Sequence, residues 1–464
     1  MSKKQFICNS CGNTYTKWMG QCELCKSWNS IIEQVIKDDT DKKVQSIKVP
    51  DDFFISVNSN ADKYISNRHK TNLEEFNRVL GGGLVDSSVI LLGGAPGVGK
   101  STLLLQILSN VYDISNFVYV SAEESVGQVL LRAKRLLINN DKLKIASASC
   151  IEQILEALKG ISSDSVVIID SIQTVYSNSV ASPPGSIAQV KYCTSELVNF
   201  AKSKGVILII VGHVTKDGII AGPKTLEHMV DVVLSFEGDK TSGYRILRGE
   251  KNRFGAVDEI GVFTIDNGGL TEVPNPSSLF LSDHYDKVSG ISVFSGIEGT
   301  RPILMEVQAL VSVSGLQIPK RSSVGFDFNR LSLIIAVLTN KCRVSFANKD
   351  IFVNIAGGMK VSETAADLAV ATAILSSTMK CPLPSDTVFF GEIGLSGDIR
   401  PSYMAFTRLK EASKLGFKNA YCSHKTENIS SNTTGINIHP IKSIKEISNI
   451  IYNNKQLTLN MNNI

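Results

Sequence analysis

No stretch of this chain stays apolar for the roughly 18–20 residues that a membrane-spanning helix needs, so a helical membrane protein is not expected. The start, Met1-Ser2-Lys3-Lys4-Gln5-Phe6-Ile7-Cys8, carries charge but no apolar h-region, so no secretory signal is expected either. Charge of one sign is also missing. Lys and Arg number 48 against 44 Asp and Glu, and the resulting +4 is too small to argue nucleic-acid binding on its own. Nine cysteines is an odd count, with four of them crowded at one end, which argues against a disulfide framework and for a reducing compartment. Long-period repeats and low-complexity tracts are absent. What is present is 464 residues, 43% hydrophobic and 20% charged, as in a soluble globular protein. A prior of about 100–200 residues per domain suggests two to four domains.

The most informative run is Gly94-Ala95-Pro96-Gly97-Val98-Gly99-Lys100-Ser101, which spells G-x-x-x-x-G-K-S. The apolar stretch Val89-Ile90-Leu91-Leu92 before it reads as a buried strand, and Thr102 to Leu108 after it reads as a helix. Glycines at these positions let backbone N–H groups turn inward around phosphates, and the helix N-terminus adds positive potential. Lys100 then reaches the β- and γ-phosphates, while Ser101 holds Mg²⁺. This chain is expected to bind ATP or GTP through residues 94–102.

Cys8-Asn9-Ser10-Cys11 and Cys22-Glu23-Leu24-Cys25 form two C-x-x-C pairs. Paired turns of this kind present four thiolates to one structural Zn²⁺. Gly12 follows the first pair, where a knuckle often needs positive φ, and Lys26 follows the second and is less accommodating. A module of residues 1–32 has too little core to fold unaided, so zinc supplies its stability. Residues 33–60 are polar and charged without a period, and read as a linker. The isolated Cys150, Cys193, Cys342, Cys381 and Cys422 read as small core residues.

From 61 to 268, strands and helices alternate, which implies a parallel sheet with crossover helices. Val166-Val167-Ile168-Ile169-Asp170 has the form of a strand whose terminal carboxylate holds Mg²⁺, about 70 residues after the phosphate loop. Hydrolysis needs a group that activates water. Glu123, at the end of the strand Phe117–Val120, is the first choice and Glu124 the alternative. Either could instead complement the dipole of the next helix. His213, at the tip of the strand beginning at Val206, is placed to sense the γ-phosphate or is structural. Two glycine-containing polar loops, Ser177–Lys191 and Thr215–Lys224, suit ligand contact.

The segments Glu75–Val85, the phosphate loop, Tyr119–Ser125, Leu226–Asp231 and Lys251-Asn252-Arg253-Phe254-Gly255 together resemble the bacterial RadA (Sms) family. Lys17–Cys22 and Ser27–Asn29 of the zinc module fit the same family. Ala95 and Ala122 stand where an acidic residue and a glycine are more usual, and neither change removes a ligand. The resemblance spans essentially the whole chain. It implies a RecA-like core that hydrolyses ATP with Mg²⁺ and a ring, expected to be hexameric. It also implies single-stranded and branched DNA and a RecA-type recombinase as partners, in the bacterial cytoplasm. The family's work is the processing of recombination branches. Lys251 and Arg253 lie two apart on a strand-like segment, hence on one face, and point outward. In similar rings such a pair reaches a neighbouring subunit's γ-phosphate. Lys216, Lys224 and Arg253 are the expected DNA contacts.

From about 275 to 455 the pattern changes. Phe389–Pro401 resembles the proteolytic domain of Lon, whose catalysis uses a Ser nucleophile and a Lys base. Those positions fall here on Ala365 and Phe406, while Ser362, Ser402 and Lys410 are out of register. A proteolytically inactive α/β domain is expected, serving oligomerisation and possessing basic residues Lys320, Arg321, Lys341 and Arg343. The fold expected overall is α/β: zinc module, RecA-like ATPase core, Lon-like domain. An ATP-dependent protease and a nucleotide-switched DNA-binding scaffold are the competing readings.

Overall fold

The structure is a computed structural model, and it describes residues 3–8, 12–28, 30–36, 67–109, 111, 113–213, 225–238, 243–266, 268–282, 288–426 and 431–461. The chain forms two compact units that interleave along the sequence. Met1–Asn72, Gly82–Ser235 and Lys251–Phe254 make the first; Leu73–Gly81, Phe236–Glu250 and Gly255–Ile464 make the second.

In the N-terminal module β1 (Lys3–Cys8) pairs antiparallel with β2 (Thr14–Tyr15) and with β3 (Ile31–Ile36). Here the structure differs from the expected linker at 33–60. The last strand continues to Ile36 because β1 offers it partners as far as Lys3. Residues 37–60 lie outside the described residues.

The first unit continues with a short ribbon of β4 (Arg68–His69) and β5 (Leu84–Val85). Between them runs α1 (Glu74–Val79), which belongs to the second unit. Then come β6 (Val89–Gly94), α2 (Lys100–Leu108), β7 (Asn116–Ser121), α3 (Val126–Arg135), β8 (Leu143–Ser147) and α4 (Ile151–Leu158). After them come β9 (Ser165–Asp170), α5 (Ile187–Lys204), β10 (Ile207–His213), α6 (Thr225–Met229) and β11 (Val232–Glu237). The strands stand in the order β11-β6-β10-β9-β7-β8, with β6, β10, β9, β7 and β8 parallel in turn. β6 and β9 are buried at every residue, as strands covered on both faces must be, which explains their unbroken apolar runs. Helices start and stop where local chemistry dictates. Ser125 and Gln128 close a capping box on α3, and Gly205 ends α5 at φ 75°. Register carries the functional consequence. His213 lies opposite Gly94, and Asp170 lies opposite Ser121. The C-terminal ends of four strands therefore converge at one edge of the sheet.

In the second unit β12 (Tyr244–Asn252), β13 (Ile260–Asp266) and β14 (Gly269–Glu272) form an antiparallel meander. A domain boundary near 268 is expected from sequence, but Ile246, Ile260 and Val262 share one core with Val293, Leu304 and Ile335. Glu75 of α1 locks into the same unit by accepting from the amide of Val262 and the buried guanidinium of Arg301. Beyond α7 (Ser277–Phe280) follow β15 (Ile291–Glu298), β16 (Arg301–Val313), β17 (Arg321–Val324), α8 (Phe328–Lys341) and β18 (Lys349–Ile355). The unit ends with α9 (Asp367–Met379), β19 (Thr387–Phe389), β20 (Glu392–Ile393), β21 (Ile399–Arg400), α10 (Ala405–Lys414), β22 (Asn419–Ser423), α11 (Ser431–Thr434), β23 (Asn437–Ile441) and α12 (Ile444–Met461). Its main sheet runs β17-β18-β16-β15-β19-β22-β23. α9 is buried from Asp367 through Ser377, so it lacks the amphipathic stripe of a surface helix.

Candidate nucleotide site and metal centre

The phosphate loop bridges β6 and α2. Gly97 and Gly99 adopt φ of 77° and 113°, a region that residues with a Cβ avoid, while Ala95, Pro96 and Gly97 stay exposed and Val98 is buried beneath them. Lys100 is buried, and its ammonium donates to the carbonyls of Gly94 at 2.7 Å and Ala95 at 3.1 Å. It also lies 3.4 Å from Nδ1 of His213. Burial lowers its pKa, against the opposing pull of Asp170 and Glu123. An ammonium held by carbonyl dipoles alone gains when a phosphate arrives.

Ser101 donates to Oδ2 of Asp170 at 2.6 Å, and Tyr119 donates its hydroxyl to the same oxygen. A hydroxyl and a carboxylate this close suit Mg²⁺, which takes one or two protein oxygens and completes its shell with water and phosphate. Thr102 follows in the first turn of α2, half-buried.

Structure separates the two candidate bases. Glu124 is spoken for: both its oxygens accept from Arg132, each at 2.7 Å. Glu123 accepts from the Ser171 hydroxyl and from Nε2 of His213 at 2.9 Å. Burial opposes ionisation of Glu123, but the bonds from Ser171 and His213 and the charges of His213 and Lys100 outweigh it. The carboxyl is held below its ordinary range. Glu123, Lys100, His213 and Asp170 therefore form one cluster at the strand ends.

Lys251 and Arg253 are placed differently from expectation. Rather than pointing outward, Lys251 turns back to donate to the carbonyls of Glu227 at 2.6 Å and Val230 at 2.8 Å. Arg253 pairs with Asp231 at 3.2 Å while remaining more than half exposed. The reason is Asp231 itself, a buried carboxylate that also accepts from Lys202 and from the amide of Val89. Lys216 and Lys224, with the loop 215–224, lie outside the described residues. The expected loop Ser177–Lys191 is shorter in the structure, because α5 begins at Ile187 behind its cap Ser186; the side-chain amide of Gln189 in the first turn of α5 clamps the loop by donating to the carbonyls of Ser177, Val180 and Ser182.

In the N-terminal module the sulfurs of Cys8, Cys22 and Cys25 lie within 4.8 Å of one another, with Cys8 and Cys25 at 3.6 Å. Four thiolates at about 2.3 Å from a tetrahedral zinc would stand about 3.8 Å apart, so these three fit. Cys11 lies outside the described residues. Both knuckles have the same bonding: Gly12 N–H to the Cys8 carbonyl and Lys26 N–H to the Cys22 carbonyl, each 2.8 Å. Lys26 takes φ 61°, so it adopts the same left-handed turn as Gly12 despite its Cβ.

In the second unit Ala365 is buried, and Phe406 is 44% exposed on α10. Neither has a nucleophile or base to offer. Beside them an ion pair fills the interior: Arg408, 1% exposed, holds Glu363 and donates to the carbonyl of Ser295.

Three residues of the nucleotide cluster were missed from sequence, Ser171, Tyr119 and Arg132, and so was Asp231, which sits at the other end of β6 beside Val89. Two carried a signal. Ser171 directly follows Asp170, the expected metal carboxylate, and Tyr119 shares a strand face with Ser121, opposite Asp170.

Family models match three stretches: a rubredoxin metal binding domain over residues 6–33, an AAA domain over 59–218 and the ChlI subunit of Mg-chelatase over 309–426. The DNA repair protein RadA of Rickettsia bellii is 50% identical over 431 residues, covering 92% of this chain and 94% of its own. This chain belongs to the RadA family. RadA of Bacillus subtilis is 46% identical over 425 residues, covering 90% of this chain and 92% of its own. The crystal structure of the RadB recombinase aligns with 44% of this chain and 99% of that chain, at 22% identity and a TM-score of 0.36. The AAA-domain match spans the phosphate loop and the strand ending in Asp170, so the first unit contains the P-loop ATPase domain beside the N-terminal module. The alanines that depart from the RadA pattern act through their backbones: the Ala95 carbonyl receives Lys100, and the Ala122 amide donates to the Asp170 carbonyl. Among the described residues no helix is long and apolar enough to cross a membrane.

Proposed function

We propose that this chain is a DNA-dependent ATPase of recombinational DNA repair that moves or remodels branched intermediates as a ring-shaped oligomer, alongside a RecA-type recombinase. The observation that carries the reading is the cluster at the strand ends. Lys100 and Ser101 are the phosphate and Mg²⁺ ligands, Asp170 completes the metal site, and Glu123 activates water with His213 reporting on the γ-phosphate. An ionised Glu123 beside a phosphate site belongs to a turnover enzyme rather than a static switch. Relatives that match nearly the whole chain are named DNA repair proteins.

In the working ring, Lys251 and Arg253 exchange their carbonyl and Asp231 partners for a neighbour's γ-phosphate, where added positive charge stabilises the transition state. Loops 177–191 and 215–224 meet DNA, Lys216 and Lys224 on its phosphates. One zinc sits on Cys8, Cys11, Cys22 and Cys25. The second unit is an assembly platform without peptidase activity. Measuring ATP hydrolysis with and without single-stranded DNA, with Lys100→Ala as control, tests this reading. Stimulation by DNA that vanishes in Lys100→Ala supports it; a rate indifferent to DNA overturns it.

A further inference from the structure

The nucleotide cluster contains one polar group with no place in the mechanism above. Tyr119 sits in the middle of β7, 1% exposed, between Val118 and Val120. Its partner in register is Ile168 on β9, so Asp170 is two residues further along the neighbouring strand and within diagonal reach. The phenol hydroxyl donates to Oδ2 of Asp170, the oxygen that also accepts from Ser101. A phenol has one proton to give, and here it is committed to that carboxylate oxygen. It is a permanent donor. Ser101 donates to the same oxygen and would also have to offer a lone pair to Mg²⁺, so it serves two partners where the phenol serves one.

We propose that Tyr119 is the positioning residue of the magnesium site, fixing Oδ2 of Asp170 so that Oδ1 is left for a metal-bound water. This rests on Asp170 being the magnesium carboxylate. The phenol keeps the carboxylate from rotating whether or not metal is bound, so the site is set before the metal arrives. A hydrogen bond to a charged group of this kind is worth roughly tenfold or more in an equilibrium it supports.

Tyr119→Phe removes only the hydroxyl and leaves the ring packed in the sheet. A fluorescent ATP analogue should bind the variant in EDTA as it binds wild type, while the tightening produced by added Mg²⁺ should need about tenfold more metal. Hydrolysis at saturating Mg²⁺ should stay within about threefold of wild type, with the Mg²⁺ requirement raised in step. Mn²⁺ bound to the protein–ADP complex, followed by electron paramagnetic resonance, should show the same weakening. If Tyr119→Phe has wild-type Mg²⁺ dependence while Asp170→Asn loses the Mg²⁺ effect, the role of Tyr119 is refuted and the metal assignment survives. If Asp170→Asn also responds normally to Mg²⁺, the carboxylate assignment itself is wrong. Weaker binding in EDTA would mean that the hydroxyl supports the loop rather than the metal site, which also overturns the proposal.

Discussion

Replacing Glu123 by Gln offers the sharpest perturbation of the site. Glutamine has the same size and keeps an oxygen that can accept from Ser171 and from His213, the two groups that hold Glu123. The loop geometry should therefore survive, and what disappears is a charge and a basic lone pair. General base assistance is worth about 10²–10⁴-fold in rate, equivalent to about 2.7–5.4 kcal/mol of barrier. Binding should change little, because Lys100, Ser101 and the loop amides remain. The expected result is ATP retained on a filter with near wild-type affinity and single-turnover hydrolysis slower by at least a hundredfold. Glu124→Gln should cost several-fold at most, since Glu124 serves Arg132. The pH dependence follows from the direction of the shift. Glu123 is held below its ordinary range, so its contribution to stability is present above the unfolded carboxyl value and lost as pH falls through the lowered folded one. As a base it stays ionised through mildly acid pH. Ser171→Ala removes one of the bonds that depress it, so the acid limb of the rate profile should move to higher pH. Hydrolysis by Glu123→Gln within about threefold of wild type would refute the assignment outright.

Purified protein should contain about one zinc per chain, and Cys22→Ser should release it while leaving nucleotide binding in place; metal analysis with a nucleotide titration checks both. Arg408→Met leaves Glu363 without its buried partner, so it should cost about 3–5 kcal/mol in the stability of the second unit, read by thermal unfolding, with Arg408→Met/Glu363→Gln recovering part of the loss. The intact chain with ATP should leave an unfolded protein substrate uncut, because Ala365 and Phe406 offer neither nucleophile nor base. Arg253→Ala should bind ATP yet lose DNA-stimulated turnover. In mixed rings with Lys100→Ala subunits it should complement across sites, and activity that falls only in proportion to mutant content would place Arg253 in its own site instead.

Residues whose role is fixed by backbone geometry were legible in the sequence. The loop 94–101, the strand ending in Asp170 and the paired cysteines each impose a spacing that chemistry alone explains. Glu123 was legible as a strand-end carboxylate. It was also ranked above Glu124, but the physical reason was hidden, because it turns on Arg132 eight residues further along the chain and on Ser171 just past the end of β9. Lys251 and Arg253 were expected on one face of a strand, but β12 ends at Asn252 and their partners arise from Asp231 and the α6 end, contacts no local pattern announces. The unit boundary was hidden for a similar reason. β12 to β14 follow the ATPase strands directly in sequence, yet Ile246, Ile260 and Val262 pack with residues 30 to 90 positions later.

That interleaving bears on how the protein can be cut, inherited and destroyed. The chain passes between its two units five times, with Lys251–Phe254 a four-residue visit to the first unit from within the second. A fragment ending before Ser277 would keep every phosphate ligand and yet expose the apolar side of the meander, so it should aggregate. Nor could such a protein arise by joining two finished modules end to end, or shed one by a single deletion. A single cut anywhere between Gly82 and Ser235 would divide both units between two fragments.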